Sequence, residues 1–164
     1  MEIRYLTPDD DKITVSRIYQ QSWRHAYHGI LPQDYLNAIP DEHWVSALEN
    51  NSWNTLICIE NDRIIGTSSF CKSRFEQFAD WGEIISIYLL PEFMGKGFGK
   101  MLLTRALSEL KKLGYDSVFL WVLEQNTRAR NFYEKFGFLP SDHVLCSNIG
   151  GKDLREIRYI YHNL

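Results

Sequence analysis

The sequence predicts an α/β fold: a mixed, mostly antiparallel central sheet of about six to seven strands flanked by about four helices. Three observations carry this. The first half reads as strand, helices and then a meander of strands; a strand, helix, strand, helix succession follows; and the tail holds two strand-like runs around a glycine pair. Strands joined by tight turns lie antiparallel, whereas strands joined through a long helix lie parallel and need a right-handed crossover. A chain with both kinds of connection builds a mixed sheet.

Each element has its own signal. Glu2 to Leu6 reads as a short strand. Thr7-Pro8-Asp9-Asp10 supplies a cap and an acidic first turn, and Ile13, Ile18, Trp23 and Tyr27 carry an imperfect helical stripe up to Gly29. Two short helical stretches cover roughly 32–38 and 41–49. Thr55 to Ile59 and Ile64 to Phe70 are strand-like and flank Glu60-Asn61-Asp62-Arg63, a compact hairpin connection. A further strand runs from about Glu83 to Leu90.

Leu102, Leu103, Ala106, Leu107, Leu110 and Leu113 then recur at helical spacing between Gly99 and Gly114. Ser117 to Leu123 is a buried strand by its β-branched and aromatic content. Asn126 stands where a helix cap is needed, ahead of Ala129, Phe132, Tyr133 and Phe136 on one face, and Gly137 closes that helix. Val144 to Ser147 and Leu154 to Tyr161 bracket Asn148-Ile149-Gly150-Gly151, a hairpin turn.

Composition removes several functional classes. The 164 residues, 45% hydrophobic and 24% charged, fit one folded domain spanning 1–164. A net charge of -3 is the wrong sign for a protein that coats a phosphate backbone, so nucleic acid is not an expected partner. No apolar run approaches the roughly 20 residues that span a bilayer. The start, Met1-Glu2-Ile3-Arg4, has no export signal, so no membrane and a cytoplasmic location are expected. Cys58, Cys71 and Cys146 are odd in number and lack a C-x-x-C pair, which suits buried free thiols better than disulfides or a thiolate cluster. His25 and His28 stand three apart but have no third or fourth ligand at suitable spacing, so no metal is expected.

The chemistry concentrates in Ile87-Tyr88-Leu89-Leu90-Pro91-Glu92-Phe93-Met94-Gly95-Lys96-Gly97-Phe98-Gly99-Lys100-Met101, a strand that runs through a glycine-rich turn into the long helix. Alternating glycines let the backbone approach a ligand and turn its N–H groups outward, and a helix N-terminus adds unpaired donors. Phosphate or pyrophosphate is the matching ligand. A Walker A loop is excluded, because Met94 and Met101 stand where it needs Gly and Ser/Thr. A dinucleotide fingerprint fits poorly, because Lys100 stands where its third glycine belongs.

Leu89 to Lys100 resembles the acetyl-CoA pyrophosphate loop of the GCN5-related N-acetyltransferase (GNAT) superfamily, whose pattern is Gln/Arg-x-x-Gly-x-Gly/Ala. Asn126-Thr127-Arg128-Ala129-Arg130-Asn131-Phe132-Tyr133-Glu134-Lys135-Phe136-Gly137-Phe138 is similar to that family's second signature, Asn-x-x-Ala-x-x-Phe-Tyr-x-x-x-Gly-Phe. One departure is Met94 at the Gln/Arg position. The resemblance implies the GNAT fold and acetyl-CoA as cosubstrate, held by Tyr88, Leu89, Leu90, Gly95, Lys96, Gly97, Phe98, Gly99, Lys100, Met101, Leu102, Asn126 and Arg130. It also implies strands splayed at a bulge, with the Leu89 N–H free for the thioester carbonyl.

The resemblance further implies Tyr133 as the acid that protonates the leaving thiolate, a core tyrosine being the alternative. Glu83 is the candidate base, against an exposed strand-end glutamate, and Glu124 is the second candidate. Trp23, Tyr27, Trp81 and Trp121 are expected to line an aromatic acceptor pocket, with ordinary packing as the alternative for each. The activity implied is acetyl transfer from acetyl-CoA to a primary amine of a small molecule by direct attack. A protein N-terminal or lysine acetyltransferase and a non-catalytic acyl-CoA sensor stay open, as does a homodimer.

Overall fold

The computed structural model describes residues 1–164. Seven strands form one sheet in the order β1-β2-β3-β4-β5-β7-β6. The strands are β1 (Glu2–Tyr5), β2 (Asn54–Glu60), β3 (Arg63–Lys72), β4 (Gly82–Leu89), β5 (Ser117–Leu123), β6 (Leu139–Ile149) and β7 (Lys152–His162). Every neighbouring pair is antiparallel except β4 with β5, which the long helix joins. The helices are α1 (Lys12–Ala26), α2 (Gln33–Ala38), α3 (Val45–Leu48), α4 (Phe98–Lys112) and α5 (Thr127–Phe136).

Side-chain alternation sends the two faces of the sheet to different helices. Leu56, Phe70, Ile84, Val118, Leu120, Val122 and Tyr159 meet Leu103, Ala106, Leu107 and Leu110 of α4, and the apolar side of α5 joins them. On the opposite face Ile57 meets Val15 and Tyr19 of α1, while Leu123 and Leu154 meet Leu36 of α2.

Several element ends differ from the sequence reading. α1 starts at Lys12 because Asp11 is its cap, accepting the Ile13 N–H at 2.9 Å. Asp10 is instead taken by Arg4, through two bonds of 2.7 and 2.8 Å, and by Thr7. Glu60 pairs directly with Arg63, so the first hairpin turns on Asn61 and Asp62 alone, both at positive φ (48° and 59°), as a primed turn demands. β6 begins at Leu139, ahead of the predicted Val144, with a register irregularity between Pro140 and Val144. Cys58 and Cys71 are buried, but Cys146 is exposed on β6, the edge strand, contrary to the expectation for all three.

The C-terminal hairpin reaches back to the N-terminal helices. Lys152 Nζ donates to the Ile30 carbonyl at 2.6 Å. A Cβ on Gly150 would meet the Tyr35 ring at 2.5 Å, so only glycine lets the hairpin tip seat against α2.

Candidate active site

The site begins with one extra residue. β3 and β4 pair Ser69 with Ser86 but Phe70 with Ile84, leaving Ile85 as a bulge. A one-residue insertion reverses the alternation beyond it, so Ile84 faces α4 while Ser86 and Tyr88 face α1. Ser86 is held there by a 2.9 Å bond with the Tyr19 hydroxyl. Before the bulge β4 and β5 are paired, at Gly82 with Val118 and Glu83 with Phe119. After it they part, and a cavity of about 540 Å³ occupies the wedge. The Leu90 N–H bonds the Ile65 carbonyl, which makes Leu89 and Gly66 the non-bonded pair of that ladder and turns the Leu89 N–H away from β3, toward the wedge.

One wall of the cavity is built for an anion. Gly95 and Gly97 lie at φ 76° and 92°, left-handed backbone that exposes the loop's N–H groups, and Gly97 is the N-cap of α4. The first α4 hydrogen bond runs from the Met101 N–H to the Gly97 carbonyl, so the N–H groups of Phe98, Gly99 and Lys100 precede it without helical acceptors. Lys100, Arg128 and Lys135 line the cavity, and no carboxylate does. Three lysine and arginine side chains beside free helix N-terminal donors fit the pyrophosphate of coenzyme A. Asn126 also lines the cavity while its carboxamide oxygen caps α5 at the Ala129 N–H (3.2 Å), leaving its NH2 to donate.

The other wall is aromatic. Tyr27, Tyr88, Trp121 and Tyr133 all line the cavity. Trp23 stands behind them, its indole N–H donating to the Tyr88 hydroxyl at 2.9 Å and its ring meeting Tyr27 edge-on at 5.0 Å. Burial pushes the Tyr88 phenol up to about 12. Burial, reinforced by Tyr88, holds Tyr133 well above the ordinary phenol range, so it remains a proton donor throughout neutral pH. The Trp121 indole N–H is buried with no protein partner.

The structure gathers some of the expected residues here and sends others elsewhere. Tyr27, Tyr88, Leu89, Gly95, Gly97, Gly99, Lys100, Trp121, Asn126 and Tyr133 border the cavity. Glu83 does not. It sits where β4 and β5 are still paired, 1% exposed, and takes three bonds from Arg74: backbone N–H (3.0 Å), Nε (3.1 Å) and Nη2 (2.7 Å). A carboxylate so occupied is a structural anchor. Glu124 lies outside the cavity too, 3.5 Å from Arg155. Trp81 packs on Phe78, Phe119 and the Arg158 guanidinium.

Arg130 turns away to the Tyr159 hydroxyl and the Glu124 carbonyl. Its place on the lining is taken by Arg128, which also meets His25 Nε2 at 3.1 Å. Both arginines stand in the same signature, and only their angular positions around α5 separate them. Lys96 lies over the Phe93 ring, Phe98 packs against that ring, and Leu90 and Leu102 are core. Met101 is exposed, and its N–H is spent within α4. Phe132 and Phe136, which stand in the family's second signature, line the cavity; no residue of α5 is fully buried, because its apolar face borders the wedge.

A bulged, splayed sheet with a cationic glycine loop on one side and tyrosines on the other defines an acyl-CoA transferase site. The acetyltransferase (GNAT) family profile matches residues 14–138. The chain is 33% identical over 152 residues to the uncharacterized N-acetyltransferase YuaI of Bacillus subtilis, covering 90% of this chain and 86% of that one. It is 29% identical over 151 residues to spermidine N(1)-acetyltransferase of Thermoplasma acidophilum, covering 87% and 90%. The crystal structure of PaiA N-acetyltransferase from Thermoplasma acidophilum in complex with coenzyme A superposes with a TM-score of 0.76 at 27% identity, covering 98% of each chain. This chain belongs to the GNAT acetyltransferase family and is an acetyl-CoA-dependent acetyltransferase. No helix is long and apolar enough to cross a membrane, and no group of three or more His, Cys, Asp or Glu is placed to hold a metal.

Proposed function

We propose that the protein transfers the acetyl group of acetyl-CoA to a primary amine of a small molecule by direct attack on the thioester. The observation that carries this reading is the two-sided cavity: N–H donors and cations for the cosubstrate on one side, tyrosine and tryptophan faces for an ammonium group on the other. The relative named for spermidine acetylation supports a small amine as acceptor.

Bound acetyl-CoA supplies the acetyl group as an activated thioester. Lys100, Arg128 and the α4 N-terminus hold its phosphates, and the Leu89 N–H donates to the carbonyl oxygen as negative charge grows there. Tyr133, kept protonated by burial, gives its proton to the departing sulfur. A covalent acyl-enzyme has no candidate nucleophile among the buried thiols: burial pushes Cys58 and Cys71 up to about 11, and neither borders the cavity.

The test is thiol release from acetyl-CoA across a panel of polyamines, amino acids, aminoglycosides and a lysine peptide. Turnover with a small amine is expected, and Tyr133→Phe should lower kcat by about 10²-fold with coenzyme A affinity retained. Turnover with the peptide alone would replace this reading by a protein acetyltransferase. Binding of acetyl-CoA without turnover on any amine would replace it by an acyl-CoA sensor.

A further inference from the structure

With Glu83 tied to Arg74 and no carboxylate on the cavity lining, the proton that a protonated amine must lose has no evident acceptor. Carboxylates adjoin the lining without bordering the cavity: Glu124 stands against Arg155, Glu134 accepts from the Tyr159 hydroxyl, and Glu156 lies on β7. Glu156 of β7 is paired across the sheet with Leu123, and Arg158, the next residue on the same face, is paired with Trp121; both Leu123 and Trp121 border the cavity. Cross-strand partners share a face, so Glu156 projects to the α1 and α2 side, the side of the aromatic wall. Tyr27 packs against the apolar cluster that contains Leu123 and Leu154, the residues that flank Glu156 across and along the strands.

Glu156 is also uncommitted. Its one hydrogen bond is from the Ser147 hydroxyl to Oε2 at 3.4 Å, it forms no ion pair, and Oε1 is not sealed from solvent. That contrasts with Glu83, Glu109 and Asp10, each of which is held by an arginine. We infer that Glu156 receives the ammonium group of the acceptor and removes one of its protons before attack. The inference rests on the small-amine reading above and names the side chain that selects a cationic acceptor.

The surroundings suit that task. Burial raises Glu156 above its ordinary carboxylate value, opposed by Ser147 and by Arg74. The titratable and charged groups around it are Tyr27 at the end of α1, Tyr88 from β4, Arg74 from the β3–β4 loop and Arg158 two residues along β7, with Tyr35 of α2 in the adjoining apolar cluster. The step balances. The acceptor R–NH3⁺ gives one proton to Glu156, which passes it to water, and the nitrogen lone pair forms the C–N bond as the C–S bond breaks. Tyr133 protonates the sulfur, and the second proton lost by nitrogen restores Tyr133.

The experiment compares wild type, Glu156→Gln and Glu156→Asp with spermidine, following steady-state rates from pH 6 to 9.5 and the binding of spermidine to the coenzyme A-loaded enzyme. Glu156→Gln should lose about 10²-fold in kcat/KM at pH 7 and bind spermidine at least tenfold more weakly, while coenzyme A affinity stays within about twofold. Its rate should climb about tenfold per pH unit toward the amine pKa near 10, because only the free amine then reacts, whereas wild type should level off above the Glu156 titration. Glu156→Asp should recover part of the loss. An active wild type whose Glu156→Gln variant keeps both spermidine affinity and the wild-type pH profile overturns the assignment alone. A wild type inactive on every small amine overturns the small-amine reading and this assignment together.

Discussion

Glu83 and Tyr133 both stand on elements that border the wedge, yet only one of them reaches it. The difference is a partner that sequence spacing does not reveal: Arg74, nine positions earlier, folds over the β3–β4 turn and occupies both carboxylate oxygens. Glu83→Gln should therefore cost stability and spare chemistry. Loss of the charge from a buried pair whose arginine is half exposed is worth about 2 kcal/mol, or about 4–8 °C in Tm for a chain of this size. The check is thermal unfolding beside kcat/KM, and a collapse of kcat/KM at unchanged Tm would return Glu83 to the catalytic step. Tyr133 was legible because it lies inside a motif. Arg128 was only half legible, since the motif contains two arginines and the helical angle that separates them depends on how α5 docks. Glu156 had no local signature; its position follows from the pairing of strands distant in sequence.

At the scale of elements, regular periodicity located α4 and β5, and glycine located the turns. Boundaries went astray where a side chain chose a non-local partner. Asp10 serves Arg4 of β1, so the cap of α1 falls to Asp11. On the proposed reading cosubstrate binding depends on the α4 N-terminus, and Gly97 sets its conformation at φ 92° with open space where a Cβ would stand. Gly97→Ala meets no clash, but it pays about 1–2 kcal/mol for left-handed backbone. The loop is expected to relax by rotating its N–H groups out of the cavity. Coenzyme A affinity should then fall by about tenfold or more, with Tm lowered by only a few degrees. Calorimetric titration measures this, and an unchanged affinity would show that the loop backbone does not hold the phosphates.

For the whole molecule, the alternation of strands and helices predicts a mixed sheet, but not which strands are neighbours. The insertion of β7 between β5 and β6 has no local signal, and the placement of Glu156 across from Leu123 depends on it. The wedge between β4 and β5 leaves two strands of the central sheet joined by only two register pairs. A ligand spanning the gap should tie the halves together. Coenzyme A at 100 times its Kd should add about 2.7 kcal/mol, raising Tm by about 5–11 °C, measurable by scanning calorimetry with and without ligand. No shift at that ratio would mean that coenzyme A does not bind the native fold in preference to the unfolded chain.

The bond from Lys152 to the Ile30 carbonyl spans 122 positions in the chain. It fastens the last hairpin to the first helices, and Tyr27 and Glu156 stand where those two ends meet, whereas Tyr88, Trp121, Tyr133 and the cationic wall come from the continuous middle of the sequence. On the proposed reading, part of the acceptor side therefore answers to other stretches of coding sequence than the rest of the cavity. Insertions or exchanges near either end of the gene can alter which amine is admitted while the acetyl-transfer machinery is inherited intact.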